Sequence, residues 1–247
     1  MSKKRKNNEV EVENINPEEQ SNPLHRLRRN KNYKLLPKNK SQEIFINSIE
    51  NKNIIFNIGS AGSGKSFVAV AWAIEKLCNK NEKYRKIILT RPAIEACGEE
   101  IGFLPGPIEE KLEPYMQPIY DIFAKYGIRR NDILKMIEED IVEIVPLAFM
   151  RGRSIENSIL IADEAQNMNS RQMEMLLTRF GSGSKFIITG DITQRDIKKA
   201  TGIEEACSLF KDSNKMAFIF FGKDEILRDP IVAEIVEKYE KLRENDK

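Results

Sequence analysis

The sequence predicts an α/β domain whose sheet is mainly parallel and carries helices on both faces. From Ser41 onward, short runs rich in β-branched residues alternate with longer helical patterns, an order that is typical of parallel strands joined by crossover helices. A glycine-rich loop links the first strand to the helix after it. The length of 247 residues, 40% of them hydrophobic, suits one such domain with an additional tail.

The first 40 residues precede this pattern and combine low hydrophobicity with charge and asparagine. We expect a disordered, polar and basic tail over residues 1–40, followed by one domain over residues 41–247. All charged residues between Pro23 and Lys40 are basic, namely Arg26, Arg28, Arg29, Lys31, Lys34, Lys38 and Lys40. This run predicts either an arm that binds nucleic acid or an ordinary solvated tail.

The elements of the domain follow from periodicity and residue type. The predicted strands cover residues 54–58, 86–90, 141–145, 158–162, 185–189 and 216–221. The predicted helices cover residues 65–78, 108–125, 131–139, 170–180, 203–210 and 230–244. Because ligands of such sheets bind beyond the carboxyl ends of the strands, the residues that follow each strand are the candidates for a site.

The loop after the first strand carries the strongest motif. Its residues, Gly59-Ser60-Ala61-Gly62-Ser63-Gly64-Lys65-Ser66, match the phosphate-binding pattern GxxxxGK[ST]. The glycines let backbone N–H groups surround a phosphate chain, and the next helix turns its positive end toward the same charge. We expect Lys65 to reach the terminal phosphates and the Ser66 hydroxyl to bind Mg²⁺. A flexible glycine-serine turn, the alternative, does not explain the lysine and serine at the exit of the loop.

Two adjacent carboxylates end the strand predicted at 158–162. Asp163 is expected to hold Mg²⁺ opposite Ser66, and Glu164 to polarise an attacking water as general base. Carboxylates at the end of a buried strand are costly to keep for structure alone. The alternative, an acidic helix N-cap, accounts for one of them but not for both.

A third candidate position follows the strand predicted at 185–189, in Gly190-Asp191-Ile192-Thr193-Gln194. A polar side chain at this strand end can sense a terminal phosphate or orient the water that attacks it. We assign Gln194 this role. Asp191 either shares it or caps the turn.

The remaining composition argues against several other classes. The three cysteines, Cys78, Cys97 and Cys207, are widely separated and form no CxxC pair, so neither a disulfide framework nor a zinc site is predicted. No apolar run is long enough to span a bilayer, and the N-terminus lacks the apolar segment of a secretory signal. We therefore expect a soluble cytoplasmic protein without a membrane partner.

Several motifs taken together resemble those of the PhoH-like ATPases, relatives of the nucleotide-binding domain of superfamily-1 helicases. The resemblance covers residues from about Gln42 to Tyr239. The matching pieces are Gly59–Ser66, Thr90-Arg91-Pro92-Ala93, Gly102–Gly106, Pro146–Arg153, Asp163-Glu164-Ala165-Gln166-Asn167, Leu177-Thr178-Arg179, Gly190–Gln194 and Leu227-Arg228-Asp229-Pro230.

This resemblance implies a RecA-like P-loop NTPase fold and Mg²⁺-dependent hydrolysis of ATP. It also implies assembly into a homo-oligomer, such as a hexameric ring, and action on RNA or single-stranded DNA. Helicase-like domains place a glutamine before the phosphate loop to read adenine, and Gln42 matches that position. A glutamine that faces solvent is the alternative.

A monomeric helicase completes its site with a second RecA-like domain, and we expect no such domain in this chain. An efficient ATPase of this kind would take an arginine from a neighbouring subunit. The candidates in the matching motifs are Arg151, Arg153, Arg179 and Arg228. We include Arg228 among the catalytic residues, with Lys65, Glu164 and Gln194. An ion-paired structural arginine is the alternative for each.

Two other functions remain open at this point. Thymidine-kinase-type nucleoside kinases also combine a phosphate loop with an Asp-Glu-Ala-Gln run, but many carry a four-cysteine zinc lobe that these cysteines cannot form. A nucleotide-switched binding module would bind ATP with little turnover. The presence of Lys65, Asp163, Glu164 and Gln194 argues against the second.

Overall fold

The computed structural model describes residues 35–60, 62–79, 82–92, 108–191 and 201–222, together with Lys238, and describes side chains of the fourth range from residue 117. The helices are α1 (Lys40–Asn51), α2 (Lys65–Cys78), α3 (Ile108–Lys125), α4 (Arg130–Glu138), α5 (Ser170–Leu177) and α6 (Gly202–Leu209). The strands are β1 (Ile54–Gly59), β2 (Lys86–Thr90), β3 (Val142–Ile144), β4 (Ser158–Ala162), β5 (Lys185–Gly190) and β6 (Met216–Phe221). Two 3₁₀ turns span Leu147–Met150 and Ala165–Asn167.

The strands form one six-stranded sheet in the order β3-β2-β4-β5-β1-β6, and every neighbouring pair is parallel. The predicted α/β class with a parallel sheet is confirmed. The strand with the acidic pair, β4, lies beside β5, and β5 lies beside β1. This order brings the carboxyl ends of β2, β4, β5 and β1 together along one edge.

Hydrophobic clusters cover both faces of the sheet, as predicted. On one face, α1 to α4 bury side chains such as Phe45, Val68 and Phe123 against alternate residues of the central strands. On the other face, α5, α6 and the 3₁₀ turns pack residues such as Met173 and Ile203 against the intervening ones. The continuous burial of β1, β4 and β5 is what two covered faces require.

Helix α1 was not predicted. Asn39 caps it by accepting a 2.8 Å hydrogen bond from the Gln42 backbone N–H, and Gln42, Phe45 and Ile49 form its buried stripe. The cap and this spacing are visible in the sequence and would have indicated the helix. Just before it, Leu35 is buried, and its N–H donates a 2.8 Å hydrogen bond to Glu75. Packed contacts therefore begin before residue 41, inside the segment that we expected to be tail.

The other predicted elements agree closely with the structure. The strands match within two residues at either end, and α2 and α3 have the predicted bounds. Helix α3 continues through Pro114 and Pro118. Its Phe123 is buried in the core. The helix predicted at 230–244 lies outside the described residues except for Lys238. Among the described residues, no helix combines the length and apolar character needed to cross a membrane.

Candidate active site

The phosphate loop joins β1 to α2 and has the backbone shape that its glycines predict. Gly62 and Gly64 adopt positive φ angles of 84° and 86°, a conformation that glycine enters without steric cost. Gly64 is the N-cap of α2 and provides no side-chain cap, and the first turn contains no acidic residue. The N-terminal N–H groups of α2 are thus presented at the loop, which suits an anion. Ala61 lies outside the described residues.

Lys65 places its ammonium group inside this loop. Its Nζ donates hydrogen bonds to the carbonyl oxygens of Gly59, at 2.6 Å, and Ser60, at 2.8 Å, and lies 3.4 Å from Ser63 Oγ. The Ser63 hydroxyl in turn donates to the Ser60 carbonyl at 2.9 Å. The loop is therefore wrapped around a positive charge, as a phosphate cradle should be.

Asp163 is held at the end of β4 by groups from three other elements. Its Oδ1 accepts hydrogen bonds from the Ser66 hydroxyl of α2, at 2.7 Å, and from the Thr189 hydroxyl of β5, at 2.6 Å. Its Oδ2 accepts from Arg91, which follows β2, at 3.1 Å from Nε and 2.5 Å from the terminal nitrogen. Burial alone would raise the pKa of Asp163, but the Arg91 charge and the hydrogen bonds hold that pKa below its ordinary value. The buried carboxyl is thus kept ionised.

Ser66 and Asp163 have the donor chemistry for a hard divalent cation. A hydroxyl and a carboxylate oxygen converge here, and oxygen is the ligand that Mg²⁺ prefers. Within the described residues no cluster of three or more histidine, cysteine, aspartate or glutamate side chains forms a metal cage. A cation at this point would therefore take its remaining ligands from water or from a bound phosphate, as Mg²⁺ usually does.

Glu164 follows in a left-handed conformation, with φ 54° and ψ 34°. Such an angle is uncommon outside glycine and persists only where surrounding contacts impose it. The residue precedes a 3₁₀ turn but makes no side-chain cap bond, so capping does not explain its carboxylate. Its side chain is 45% exposed and borders the cavity. A carboxylate that is exposed to the cavity in this way can accept a proton from a water bound there.

Gln166 connects Glu164 to the neighbouring strand. Its Nε2 donates a 2.7 Å hydrogen bond to Glu164 Oε2, and its Oε1 accepts a 3.0 Å hydrogen bond from the Asp191 N–H. The side chain is only 1% exposed. Gln166 therefore fixes the direction of the Glu164 carboxylate relative to the end of β5.

Gln42 contacts the phosphate loop and does not face solvent. It is 2% exposed, so the solvent-facing alternative is wrong. Its Nε2 donates a 3.3 Å hydrogen bond to the Ser63 carbonyl, and its Oε1 accepts a 2.9 Å hydrogen bond from the Lys38 N–H. Both ends of the amide are thus engaged within the chain, and Gln42 links the start of the fold to the loop.

The arginine candidates differ in their surroundings. Arg153 makes a forked pair with Glu143, at 2.5 and 2.9 Å, and Arg179 donates to the carbonyl oxygens of Met175 and Arg153. These contacts fit the structural alternative. Arg151 is exposed on the turn after Met150. Gln194 and Arg228 lie outside the described residues.

The phosphate loop, the acidic pair, Gln42 and Arg91 border one open cavity of about 660 Å³. Helix α3 adds three apolar residues to its lining, Pro118, Ile119 and Ile122, and the charged Lys125. Its lining includes Lys38, Gln42, Gly62, Gly64, Lys65, Ser66, Phe67, Arg91, Pro118, Ile119, Ile122, Lys125, Asp163, Glu164, Gly190 and Asp191.

The sequence did not assign a role to Arg91, Thr189 or Gln166. Each stands at or just beyond the carboxyl end of a predicted strand, so strand-edge position was a usable signal for all three. Periodicity alone could not show that they converge on Asp163 and Glu164.

The sequence is similar to those of known PhoH-like proteins. The sequence profile described as PhoH-like protein matches residues 34–240. A PhoH-like protein of Synechocystis sp. is 43% identical over 202 residues, 81% of this chain and 60% of that relative. A PhoH-like protein of Bacillus subtilis is 42% identical over 207 residues, 83% of this chain and 63% of the relative. Protein PhoH of Escherichia coli K12 is 38% identical over 208 residues, 83% of this chain and 58% of the relative.

The chain thus spans about 60% of the length of these curated relatives. Among solved structures, the Pif1 helicase of Candida albicans is similar with a TM-score of 0.37 and 18% identity, over 76% of this chain and 40% of that one. Bacteroides Pif1 bound to single-stranded DNA gives a TM-score of 0.32 at 15% identity, over 76% of this chain and 42% of that one.

Proposed function

The chain belongs to the PhoH-like protein family, and from this premise we propose that it binds ATP together with Mg²⁺ and hydrolyses it. The observation that carries the proposal is the 2.7 Å hydrogen bond between Ser66 and Asp163, formed beside the phosphate loop. It joins the two oxygen groups that a nucleotide-bound Mg²⁺ needs. Glu164, the next residue, borders the same cavity.

In this proposal the loop residues Gly59–Ser66 bind the phosphates through backbone N–H groups, the α2 N-terminus and the Lys65 ammonium. Ser66 and Asp163 would hold Mg²⁺, which when bound offsets phosphate charge as the terminal bond breaks. Glu164, directed by Gln166, would accept the proton of the attacking water. Gln194 would help to orient that water, and Gln42 would border the adenine as well as support the loop.

Phosphate release from ATP tests this function directly. We expect release with Mg²⁺, none after chelation, and loss of release in Glu164→Gln. The matched control is Glu174→Gln, an exposed carboxylate on α5. Transfer of phosphate to an added nucleoside, without release to water, would instead support the kinase alternative. Tight binding with no turnover would support the switch module.

We further propose that a cytoplasmic homo-oligomer, such as a hexamer, couples this hydrolysis to RNA or single-stranded DNA. The basic run between Pro23 and Lys40 supports the nucleic-acid partner. Arg151 and Arg228 are the arginines we retain for action on a neighbouring subunit. Arg153 and Arg179 are bound within the chain and are the weaker candidates.

The nucleic-acid proposal can be tested by removing residues 1–33. This truncation deletes basic residues but keeps Leu35, whose burial makes it part of the fold. Counterion release predicts that the salt dependence of binding to single strands becomes shallower, by roughly 0.7 in the log–log slope for each phosphate that the protein no longer neutralises. An unchanged slope would exclude residues 1–33 from the binding surface.

A further inference from the structure

Arg91 lies beside both carboxylates of the candidate active site, Asp163 and Glu164, although its place in the sequence did not predict a role for it. It directly follows β2, and its side chain is 16% exposed. The Nε and one terminal nitrogen both donate to Asp163 Oδ2. The same terminal nitrogen lies 3.8 Å from Glu164 Oε1. Arg91 therefore touches the proposed metal ligand and reaches toward the proposed base.

The two oxygens of Asp163 are divided between different donors. Oδ1 accepts hydrogen bonds from the hydroxyl groups of Ser66 and Thr189, whereas Oδ2 accepts hydrogen bonds from Arg91. Because Asp163 is 3% exposed, its charge requires a nearby cation, and Arg91 is the cation paired with it. A divalent cation bound by Ser66 and Asp163 would neutralise the carboxylate in place of Arg91 and would repel the guanidinium.

We propose that Arg91 exchanges partners during nucleotide binding: it neutralises Asp163 beforehand and then binds the terminal phosphate of the nucleotide. The inference rests on the proposed ATP- and Mg²⁺-binding function. Arg91 borders the same cavity as Lys65 and Glu164, and the phosphate under attack must lie within reach of Glu164. A planar, forked guanidinium suits phosphate oxygens as well as it suits a carboxylate.

The exchange makes Arg91 a sensor of the third phosphate. ADP has no third phosphate at this position, so Arg91 makes no phosphate contact when ADP is bound in place of ATP. The chain would then discriminate ATP from ADP through a residue of its own, in addition to any arginine contributed by a neighbouring subunit.

The first test measures binding of a non-hydrolysable ATP analogue and of ADP, each with Mg²⁺, to Arg91→Ala, Arg91→Lys and the wild type. We expect Arg91→Ala to weaken the triphosphate at least about tenfold, a factor within reach of one hydrogen bond to a charged group. ADP affinity should stay equal or rise, because ADP makes no contact with Arg91 and the freed Asp163 holds Mg²⁺ more tightly. Arg91→Lys, which keeps the charge and loses the fork, should be intermediate. Equal losses for both nucleotides, or no loss, would overturn the proposal.

The second test uses Mn²⁺ as the probe, measured by electron paramagnetic resonance without nucleotide. If Arg91 and a divalent cation compete for Asp163, Arg91→Ala should bind Mn²⁺ several-fold more tightly than the wild type. Asp163→Asn should lose this binding in either background. Equal affinity in Arg91→Ala and the wild type would contradict the competition.

The matched control in both tests is Arg171→Ala, an exposed arginine at the start of α5. Circular dichroism establishes that each variant is folded. Both tests measure binding, so a wild type that binds ATP without hydrolysing it would remove the proposed activity while leaving the Arg91 result interpretable.

Discussion

The Ser66 hydroxyl donates a 2.7 Å hydrogen bond to Asp163 Oδ1 across 97 residues of chain. The contact exists because α2 begins at the carboxyl end of β1 and Asp163 follows β4, with β5 between the two strands. Thr189 of β5, the strand between them, donates a 2.6 Å hydrogen bond to the same oxygen. Two segments on neighbouring parts of the sheet thus hold one oxygen of a buried carboxylate.

We expect Glu164→Gln to keep nucleotide binding and to lose turnover by a factor of about 10²–10⁴, the usual contribution of a general base. The amide is nearly isosteric and can still contact Gln166, so binding geometry should persist. Single-turnover hydrolysis and equilibrium binding, measured on the same preparations, separate the two effects. Turnover at the wild-type rate would remove Glu164 from the role of base.

Lys65→Ala should weaken ATP binding at least about tenfold, because an ammonium contact with phosphate is a charge-assisted interaction. The substitution also removes the bonds to Gly59 and Ser60 that help to shape the loop. Isothermal titration calorimetry measures the loss. Lys135→Ala, which changes an exposed lysine of α4, is the control and should bind normally. Equal affinity in Lys65→Ala and the wild type would contradict the phosphate assignment.

Gln166→Leu should lower kcat about tenfold with little change in the KM for ATP, since the hydrogen bond from Gln166 orients the Glu164 carboxylate. The change also leaves the Asp191 N–H without its side-chain acceptor, so a loss of about 1–3 kcal/mol in stability should accompany it. Gln117→Ala, in an exposed position on α3, is the control. A rise in KM with unchanged kcat would show that Gln166 supports binding instead.

Local patterns were sufficient to predict most of the fold and the position of the phosphate loop and the acidic pair at one edge of the sheet. The loop motif and the carboxylates after β4 are contiguous in sequence, and the edge rule for parallel sheets places them together. The edge rule also marks the positions of Arg91 and Thr189, but it does not predict that both side chains contact Asp163, because those contacts depend on which strands lie beside β4. The helix α1 was missed although Asn39 signals its start, since its polar residues mask a short apolar stripe.

Gly59→Ala should destabilise the fold by about 1–3 kcal/mol, the usual cost of forcing extra volume into a packed site. A Cβ at this position would lie 2.6 Å from Phe221 Cβ and 2.7 Å from the Phe221 carbonyl oxygen on the neighbouring strand β6. Gly222→Ala is a matched control, because a Cβ there meets no described atom within 4 Å. Urea unfolding should separate the two variants. Equal midpoints would contradict the close approach of β1 and β6.

Acid should destabilise the edge of the sheet through Glu143 on β3. Hydrogen bonds from Arg153, then from Lys86, outweigh burial and hold the pKa of Glu143 below its ordinary value of 4.5. A carboxyl with a lowered folded pKa stabilises the protein above its unfolded pKa, and that contribution disappears as the pH falls through the folded value. Because Arg153 is about one-third exposed, solvent screening limits the effect to about 1 kcal/mol.

Urea midpoints measured between neutral pH and pH 3 should therefore fall less steeply in Glu143→Gln than in the wild type. The control is Glu156→Gln, which changes an exposed carboxylate, and its midpoints should follow those of the wild type. Parallel pH profiles for Glu143→Gln and the wild type would show that the Glu143–Arg153 pair adds no stability.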